Sequence, residues 1–259
     1  GNTISNLSST GSGSTVTGLS CSNASTTINI NGNAINTLSS TGASVVTALS
    51  IGGGATTNVY QNKIYNLLGT NASSTVNGIL ISAGTNINTY NNIIGDLRAT
   101  AASGTDVIRG ISITSATATS NQRVYYNTIY LNASSTGTNF GSTGIFHTYS
   151  ATATTAALDM RNNIIDNAST ANGTGLAVAF RRSAATDLNN YATTSNNNLF
   201  FGTSGVYNNG TTTYAFGPFQ TLVSTRETAS KSQNPTFAST TGSGHNHGIE
   251  VDADQNLYV

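Results

Sequence analysis

Apolar positions in this chain are set by a polar one. An aliphatic residue stands two places after an asparagine again and again: Ile4, Ile35, Ile64, Ile94, Ile129, Ile165 and Leu199 follow Asn2, Asn33, Asn62, Asn92, Asn127, Asn163 and Asn197. Successive asparagines are 31, 29, 30, 35, 36 and 34 residues apart. In the first four copies, including "NTISNL" and "NKIYNL", a leucine (Leu7, Leu38, Leu67, Leu97) comes five after the asparagine. Each copy holds two more short apolar stretches. "TVTGLSC", "VVTALSI", "TVNGILI", "VIRGISI", "GSTGIFH" and "NGTGLAV" pivot on a small residue, Gly18, Ala48, Gly78, Gly110, Gly144 and Gly175, with mostly apolar alternate positions beyond it. "TINING", "NVYQ", "INTY", "QRVYY" and "ALDMR" precede the asparagine. Alternation with period two in β-branched residues predicts strands rather than helices. Turn-forming runs such as "SSTGSGS" and "TNASST" separate them.

Three short strands in each of many equivalent copies predict the coils of a parallel β-solenoid, because no coil can bury its apolar face alone. Stacking sets like residues about 4.8 Å apart, so each inward Ile lies on another Ile. The asparagine sits at a bend between strands, where its amide is withdrawn from water. There it can donate to one neighbouring Asn and accept from the other, each bond contributing about 0.5–1.5 kcal/mol. The reading is an all-β fold of six to seven coils with an internal Asn ladder at Asn2, Asn33, Asn62, Asn92, Asn127, Asn163 and Asn197. Residues 1–200 form the coils, and 201–259 form a closing segment of the same domain.

Composition narrows the function. Only 7% of residues are charged and the formal net charge is zero, so no basic field draws nucleic acid or anionic lipid. A polar chain of this kind could be disordered, but its 37% hydrophobic content recurs at regular intervals. A lone cysteine, Cys21, excludes an internal disulfide framework. No run approaches the ~18 apolar residues of a bilayer span, and no signal peptide is visible, so membrane insertion is not expected. Gly1 and Asn2 already lie within the first copy. The chain is therefore expected to be a piece of a longer parent chain, whose remainder is its first partner.

"NTISNL", "NKIYNL", "YNTIYLN" and "RNNIIDN" resemble the repeats of secreted bacterial surface proteins with the right-handed parallel β-helix, or pectin-lyase-like, superfold. The likeness covers residues 1 to about 200. The tail, "NNNLFFGTSGVYNNGTTTYAFGPFQTLVSTRETASKSQNPTF", is similar to the closing segment of such proteins. The resemblance implies a short helix near Pro218–Thr225 and a return at Asn234-Pro235-Thr236-Phe237. It also implies an extracellular or bacterial cell-surface location, and a type IX secretion substrate, although no sorting domain is visible.

Function must come from the outward columns. Two residues before each ladder position stand Asn31, Tyr60, Tyr90, Tyr125 and Arg161. This strip either stabilises neighbouring coils by stacking or offers a glycan or other partner a contact surface, with Arg161 beside Tyr125 as a cation–π partner. Four residues before stand Asn29, Asn58, Asn88, Arg123 and Asp159, which predicts a surface ion pair between Arg123 and Asp159. A glycosidase needs two carboxylates about 5–9.5 Å apart. There is no Asp or Glu before Asp96, and Lys63 is the first charged side chain. Asp96, Asp106, Asp159 and Asp166 fall at different offsets; Asp159 and Asp166 share a coil, with Arg161, Arg181 and Arg182 nearby. His147 takes a column otherwise held by Cys21, Ile51, Ile81, Ile113 and Val178, and reads as a hydrogen-bonded packing residue.

In the tail, His245, His247, Glu250, Asp252 and Asp254 could hold a transition metal or calcium. Leu257 stands where a calcium loop needs Gly, so a polar capping turn is preferred and no cofactor is expected. The column Thr17, Thr47, Asn77, Arg109, Thr143, Thr174 would suit ice binding but is interrupted. The sequence thus points to a non-catalytic extracellular structural or adhesive module. A carbohydrate-binding or carbohydrate-active β-helix is the alternative, and an ice-binding solenoid is third.

Overall fold

The computed structural model describes residues 1–23, 26–184, 187–237, 239–240, 250–251 and 257–258. Every early coil repeats one circuit. Coil one is β1 (Thr3–Ser9), β2 (Thr15–Cys21) and β3 (Thr27–Asn31); coil two is β4 (Ala34–Ser40), β5 (Val45–Gly52) and β6 (Thr56–Tyr60). Coil three is β7 (Lys63–Gly69), β8 (Thr75–Ala83) and β9 (Asn86–Tyr90). Coil four is β10 (Ile93–Gly95), β11 (Leu97–Ala99), β12 (Gly104–Ile113) and β13 (Asn121–Tyr125). Coil five is β14 (Thr128–Leu131), β15 (Phe140–His147) and β16 (Ala157–Arg161). Later coils keep two sides: β17 (Ile164–Asn167) and β18 (Ala177–Arg182), then β19 (Leu199–Gly202) and β20 (Gly205–Asn208). Closure follows with β21 (Thr213–Tyr214), α1 (Phe216–Val223) and β22 (Lys231–Ser232).

Stacked coil on coil, these strands make three parallel sheets and a β-solenoid of about seven turns. The first sheet runs β1-β4-β7-β10-β14-β17-β19-β22 with β11 beside β7, the second β2-β5-β8-β12-β15-β18-β20-β21, and the third β3-β6-β9-β13-β16. Register is residue for residue. Ile4 lies on Ile35, Ile35 on Ile64, Ile64 on Ile94, and so on to Phe200 on the rung of Ile165.

The three-residue step between the two aliphatics of "NTISNL" has a backbone cause. Asn6, Thr37, Asn66 and Asp96 adopt positive φ between 51° and 60°. One left-handed residue breaks the period-two alternation, so Ile35 and Leu38, three apart, both face inward and are fully buried. The small-residue column is equally determined. A Cβ on Gly110 would lie 2.6 Å from both the Gly144 carbonyl oxygen and Ile129 Cγ2, and one on Gly78 would lie 2.7 Å from Ile94 Cγ2. The coils are drawn together until the second sheet's backbone touches the first sheet's Ile column.

The buried amides form a continuous ladder. Asn33 Nδ2 donates to Asn62 Oδ1 at 2.8 Å, Asn62 to Asn92 at 3.0 Å, Asn92 to Asn127 at 3.0 Å, Asn127 to Asn163 at 3.1 Å and Asn163 to Asn198 at 2.9 Å. Each Oδ1 also accepts the backbone N–H of the preceding Asn, at 3.0–3.1 Å in these steps. From Asn62 onward, each Nδ2 also donates to a third-sheet carbonyl one rung back: Ile30, Val59, Thr89, Val124 and Met160.

Two positions differ from the sequence expectation. The seventh rung is Asn198, not Asn197. Asn197 takes the left-handed turn (φ 60°) that Asn162 (φ 56°) and Asn91 (φ 53°) take just before their ladder residues, and within "NNN" the pattern alone does not separate turn from rung. The small residue of coil six is Ala179, not Gly175. Val178 pairs with Thr143 and Phe180 with Ile145, while Gly175 closes a turn on the Asn172 carbonyl at 3.0 Å. It follows that Arg182, not Val178, continues the His147 column, and Val178, not Thr174, continues the column of Thr143.

The two ends are unlike. At the C-terminal end α1, beginning two residues before the predicted start at Pro218, buries Phe219 and Val223 completely. The Phe219 ring lies 4.9 Å from Tyr207 and 5.5 Å from Phe200, and β21 turns antiparallel onto β20. The ladder ends on a carboxylate. Glu227 is fully buried, accepts Asn198 Nδ2 with both oxygens at 3.1 and 2.9 Å, and also accepts from the Tyr191 and Ser230 hydroxyls. A chain of amides that all donate in one direction needs an acceptor last, and a carboxylate supplies it. At the other end Ile4, Leu19 and Ile28 are half-exposed and Leu7 is 37% exposed, whereas Ile35, Leu38 and Leu49 above them are fully buried.

Removing a middle rung strands donors on one side and a carbonyl on the other. Asn92→Leu is expected to lower stability by about 3–5 kcal/mol, since several buried groups lose partners; Asn2→Leu, at the exposed end, is expected to cost under about 1 kcal/mol. Urea midpoints of the two variants check the gradient. Gly110→Leu forces overpacking against Ile129 and the neighbouring backbone, and should cost at least about 1–3 kcal/mol in the same assay.

Candidate functional site

The outward face of the third sheet gathers the predicted strip. Strands β3, β6, β9, β13 and β16 hold Asn31, Tyr60, Tyr90, Tyr125 and Arg161 in one register column. Tyr60 and Tyr90 stack with ring centroids 4.9 Å apart and planes 2° from parallel. Rings this close cannot lie side by side in one plane, so they overlap face to face along the solenoid axis. Their edges and hydroxyls, not their broad faces, point to solvent. That geometry serves coil-to-coil stacking, whereas a pyranose would need an open face.

Higher up, the strip becomes polar. Tyr125 donates its hydroxyl to Asp159 Oδ2 at 2.7 Å, and Arg161 grips the same carboxylate through Nε (2.9 Å) and Nη2 (2.6 Å) while its guanidinium carbon lies 5.5 Å from the Tyr125 ring. Burial pushes Asp159 up, but the Arg161 and Tyr125 hydrogen bonds outweigh it and hold the carboxyl below its ordinary range. Tyr125 is pushed up to about 12 by burial and by its bond to Asp159.

The expected Arg123–Asp159 pair does not form, although the two are register neighbours. Arg161, two residues along the same strand, holds the carboxylate, and Arg123 Nη1 donates to Asn88 Oδ1 at 3.2 Å. Arg123 thereby caps a second, exposed amide ladder in which Asn88 donates to Asn58 and Asn58 to Asn29, each at 2.8 Å. The column Asn29, Asn58, Asn88 was visible in the sequence; its hydrogen bonding needed the neighbouring rung heights.

Asp159 and Asp166, considered above as a carboxylate pair, are not brought to a common face. Asp159 is on the third sheet, while Asp166 is on β17 of the first sheet, past the Asn163 bend, and is fully buried. Three further described carboxylates have partners within the protein. Asp96 pairs with Arg98 at 3.0 Å. Asp106 accepts from Arg109 and Thr143 at 3.0 and 2.6 Å and lies 3.7 Å from Arg181. Asp187 accepts the Tyr149 hydroxyl at 2.8 Å.

The cluster around Asp106 escaped sequence reading. The Arg109 guanidinium lies flat on Phe146, 3.5 Å from its centroid, on the outer face of the second sheet. Its only sequence signal is a charged residue in a Thr-rich column. Thr47 and Thr143 in that column are buried, and Thr143 is bonded to Asp106, so the column offers no open hydroxyl lattice.

His147 is a packing residue, as expected. It is fully buried between Ile113 and Arg182, with Nε2 2.9 Å from the Ala156 carbonyl oxygen. Burial, with the charge of Arg182, lowers it to about 3. Arg182 points inward where Arg181 points outward, and it donates to the Asp187 carbonyl at 2.9 Å and to Asn190 Oδ1. The remaining metal candidates, His245, His247, Asp252 and Asp254, lie outside the described residues, and nothing is described of the Glu250 side chain. Among the described residues no group of three or more His, Cys, Asp or Glu could hold a metal. Against protein-family models, curated proteins and solved structures, the chain has no match.

His147 gives a pH dependence with a definite sign. Its folded value lies below the ordinary 6.5, so the unfolded chain binds the extra proton first and stability is lost as pH falls from about 6.5 toward about 3. Replacing it with Gln should flatten that limb, read as the difference between the two proteins' urea midpoints across the window.

Proposed function

We propose that the chain is a non-catalytic extracellular structural or adhesive module of a larger bacterial cell-surface or secreted protein. One observation carries the reading: the closed and open ends of the solenoid. One end is sealed by α1, by an antiparallel strand and by the Glu227 carboxylate. At the other, β1, β2 and β3 are edge strands without charge or proline, core residues are half-exposed, and no described group donates to Asn2 Oδ1. Bare edges of this kind are ordinarily covered or charged. A further coil of the same sense would match all three edges, and its own Asn would supply the missing donors. The remainder of a longer chain is therefore the proposed partner at this end.

The state of the described carboxylates supports a non-catalytic role. A general acid or nucleophile needs a carboxyl group free to meet substrate; Asp96, Asp106, Asp159 and Asp187 are bonded within the protein, and Asp166 and Glu227 are buried. The cell-surface assignment, and secretion by a type IX route, rest on the resemblance of the repeats and tail. The adhesive part of the reading rests on the third sheet, where Tyr edges and the Asn29–Asn58–Asn88 ladder form a long, nearly uncharged polar face that glycans or cell-surface components could contact.

An added coil tests the module reading. A copy of residues 33–61 joined in frame ahead of Gly1 should raise the melting temperature by a few degrees, since one more rung buries the open core. Replacing Asn by Leu at the ladder position of the added copy should cancel the gain. An unchanged melting temperature, with the added copy cut by protease, would remove the basis of the proposal. Cleavage of a polyuronide that is lost in Asp159→Asn would replace it with an enzymatic one, and glycan binding lost in the Tyr60, Tyr90, Tyr125 triple alanine variant would place the contact on the strip.

A further inference from the structure

The outer face of the first sheet holds a carboxyl group with no hydrogen-bond partner among the described residues. Asp166 of β17 stands in register between Tyr130 of β14 and Phe201 of β19. It is fully buried, and neither oxygen has a hydrogen-bond partner. The chain itself covers it. β22 occupies the rung beyond β19, yet Phe237, five residues past Ser232, packs on Tyr130 with centroids 5.1 Å apart. From β22 back to β14 is three rungs, about 14 Å at ordinary strand spacing, and five extended residues reach about 16 Å. The segment 233–237 must therefore cross outside β19 and β17, over Phe201 and Asp166. Pro235 is buried along this path, while Gln233, Asn234 and Thr236 are exposed.

Among the described residues, no charge compensates Asp166 from any element packed on it. The strap contributes only Gln, Asn, Pro, Thr and Phe, and β19 contributes Phe201. From β14 comes the Tyr130 phenol, itself raised by burial and by the charge of Asp166. Lys231 on β22 is exposed and makes no ion pair with Asp166 among the described residues. A carboxyl placed this way is comfortable only when protonated, and burial raises it to about 7.

We propose that the segment 233–237 is a clasp that stays shut over a neutral Asp166 and loosens when that carboxyl ionises. Loosening further exposes Tyr130 and Phe201, an aromatic strip half-buried on the first sheet. The sign follows from linkage. A freed Asp166 ionises near the ordinary value of about 3.9, whereas the covered one holds its proton to about 7. Between those values opening becomes about tenfold more favourable per pH unit, and it levels off above them.

Hydrogen exchange of the full chain, read in peptides spanning 229–237 and corrected for the intrinsic pH dependence of exchange, tests this. Protection should fall with rising pH up to about 7 in the wild type, by as much as tenfold per unit. In Asp166→Asn, an uncharged isostere, it should stay level. A second readout uses the absence of tryptophan from the chain: Phe237→Trp places a single reporter on the clasp, whose acrylamide quenching should rise with pH and lose that rise when Asp166→Asn is added. If Asp166→Asn does not fold, Asp166→Ser gives the same comparison. Equal pH profiles with and without the carboxyl would overturn the clasp, as would quenching independent of pH in the wild type.

Discussion

Each coil of this protein has to remove a polar bend from water, and the ladder of amides is how it does so. An asparagine side chain carries two donors and an acceptor. Here one donor goes to the next rung, the other to a carbonyl of the rung below, and the oxygen accepts from two groups at once. From Asn62 onward each rung is saturated only because its neighbours stand at strand spacing on both sides. The apolar columns depend on the same condition, since Ile35 and Ile64 reach complete burial only when a rung lies above and below. Stability in such an array is a sum of nearest-neighbour contacts, so the ends, where a neighbour is missing, take on special character.

The ladder also has direction. Every amide-to-amide bond of the ladder donates toward higher residue numbers, so one end must present acceptors and the other donors. Glu227, with three donor groups converging on it through four hydrogen bonds, answers the donor end. Burial raises this carboxyl while the surrounding donors oppose the rise, and a neutral amide in its place would set donor against donor. The acceptor end has no counterpart among the described residues. The exposed amide ladder on the third sheet runs the other way, with Asn88 donating back toward Asn29.

Charge enters late in the chain. The first three coils carry one charged side chain, Lys63, and hold together by apolar stacking and amides alone. From coil four onward, arginines meet carboxylates within or between neighbouring strands, as at Asp106 and Asp159. Two titratable groups are exceptions, and they act in opposite senses. His147 is buried neutral and resists acid protonation, whereas Asp166 is buried with no partner and resists ionisation. Both lie in the longer coils, His147 on the second sheet and Asp166 on the first, where the closing segment returns.

The sequence alone determined the repeat, the strand triplets, the Asn ladder through its first six rungs, the inward His147 and the closing helix to within two residues. These are properties that each coil states for itself, and repetition makes them legible. Tertiary structure decided what depends on turn length and on segments arriving from elsewhere. It placed the last rung at Asn198, because only the backbone distinguishes a left-handed turn residue from the rung beside it. It made Ala179 the small residue and Arg182 the inward one, because the longer turn before β18 moves the register by four. It gave Asp159 to Arg161 rather than Arg123, brought Glu227 to the end of the ladder and laid Phe237 on Tyr130. Periodicity is a local, one-dimensional signal; the partners of a side chain at an irregular turn or a solenoid end are set by contacts the period does not encode.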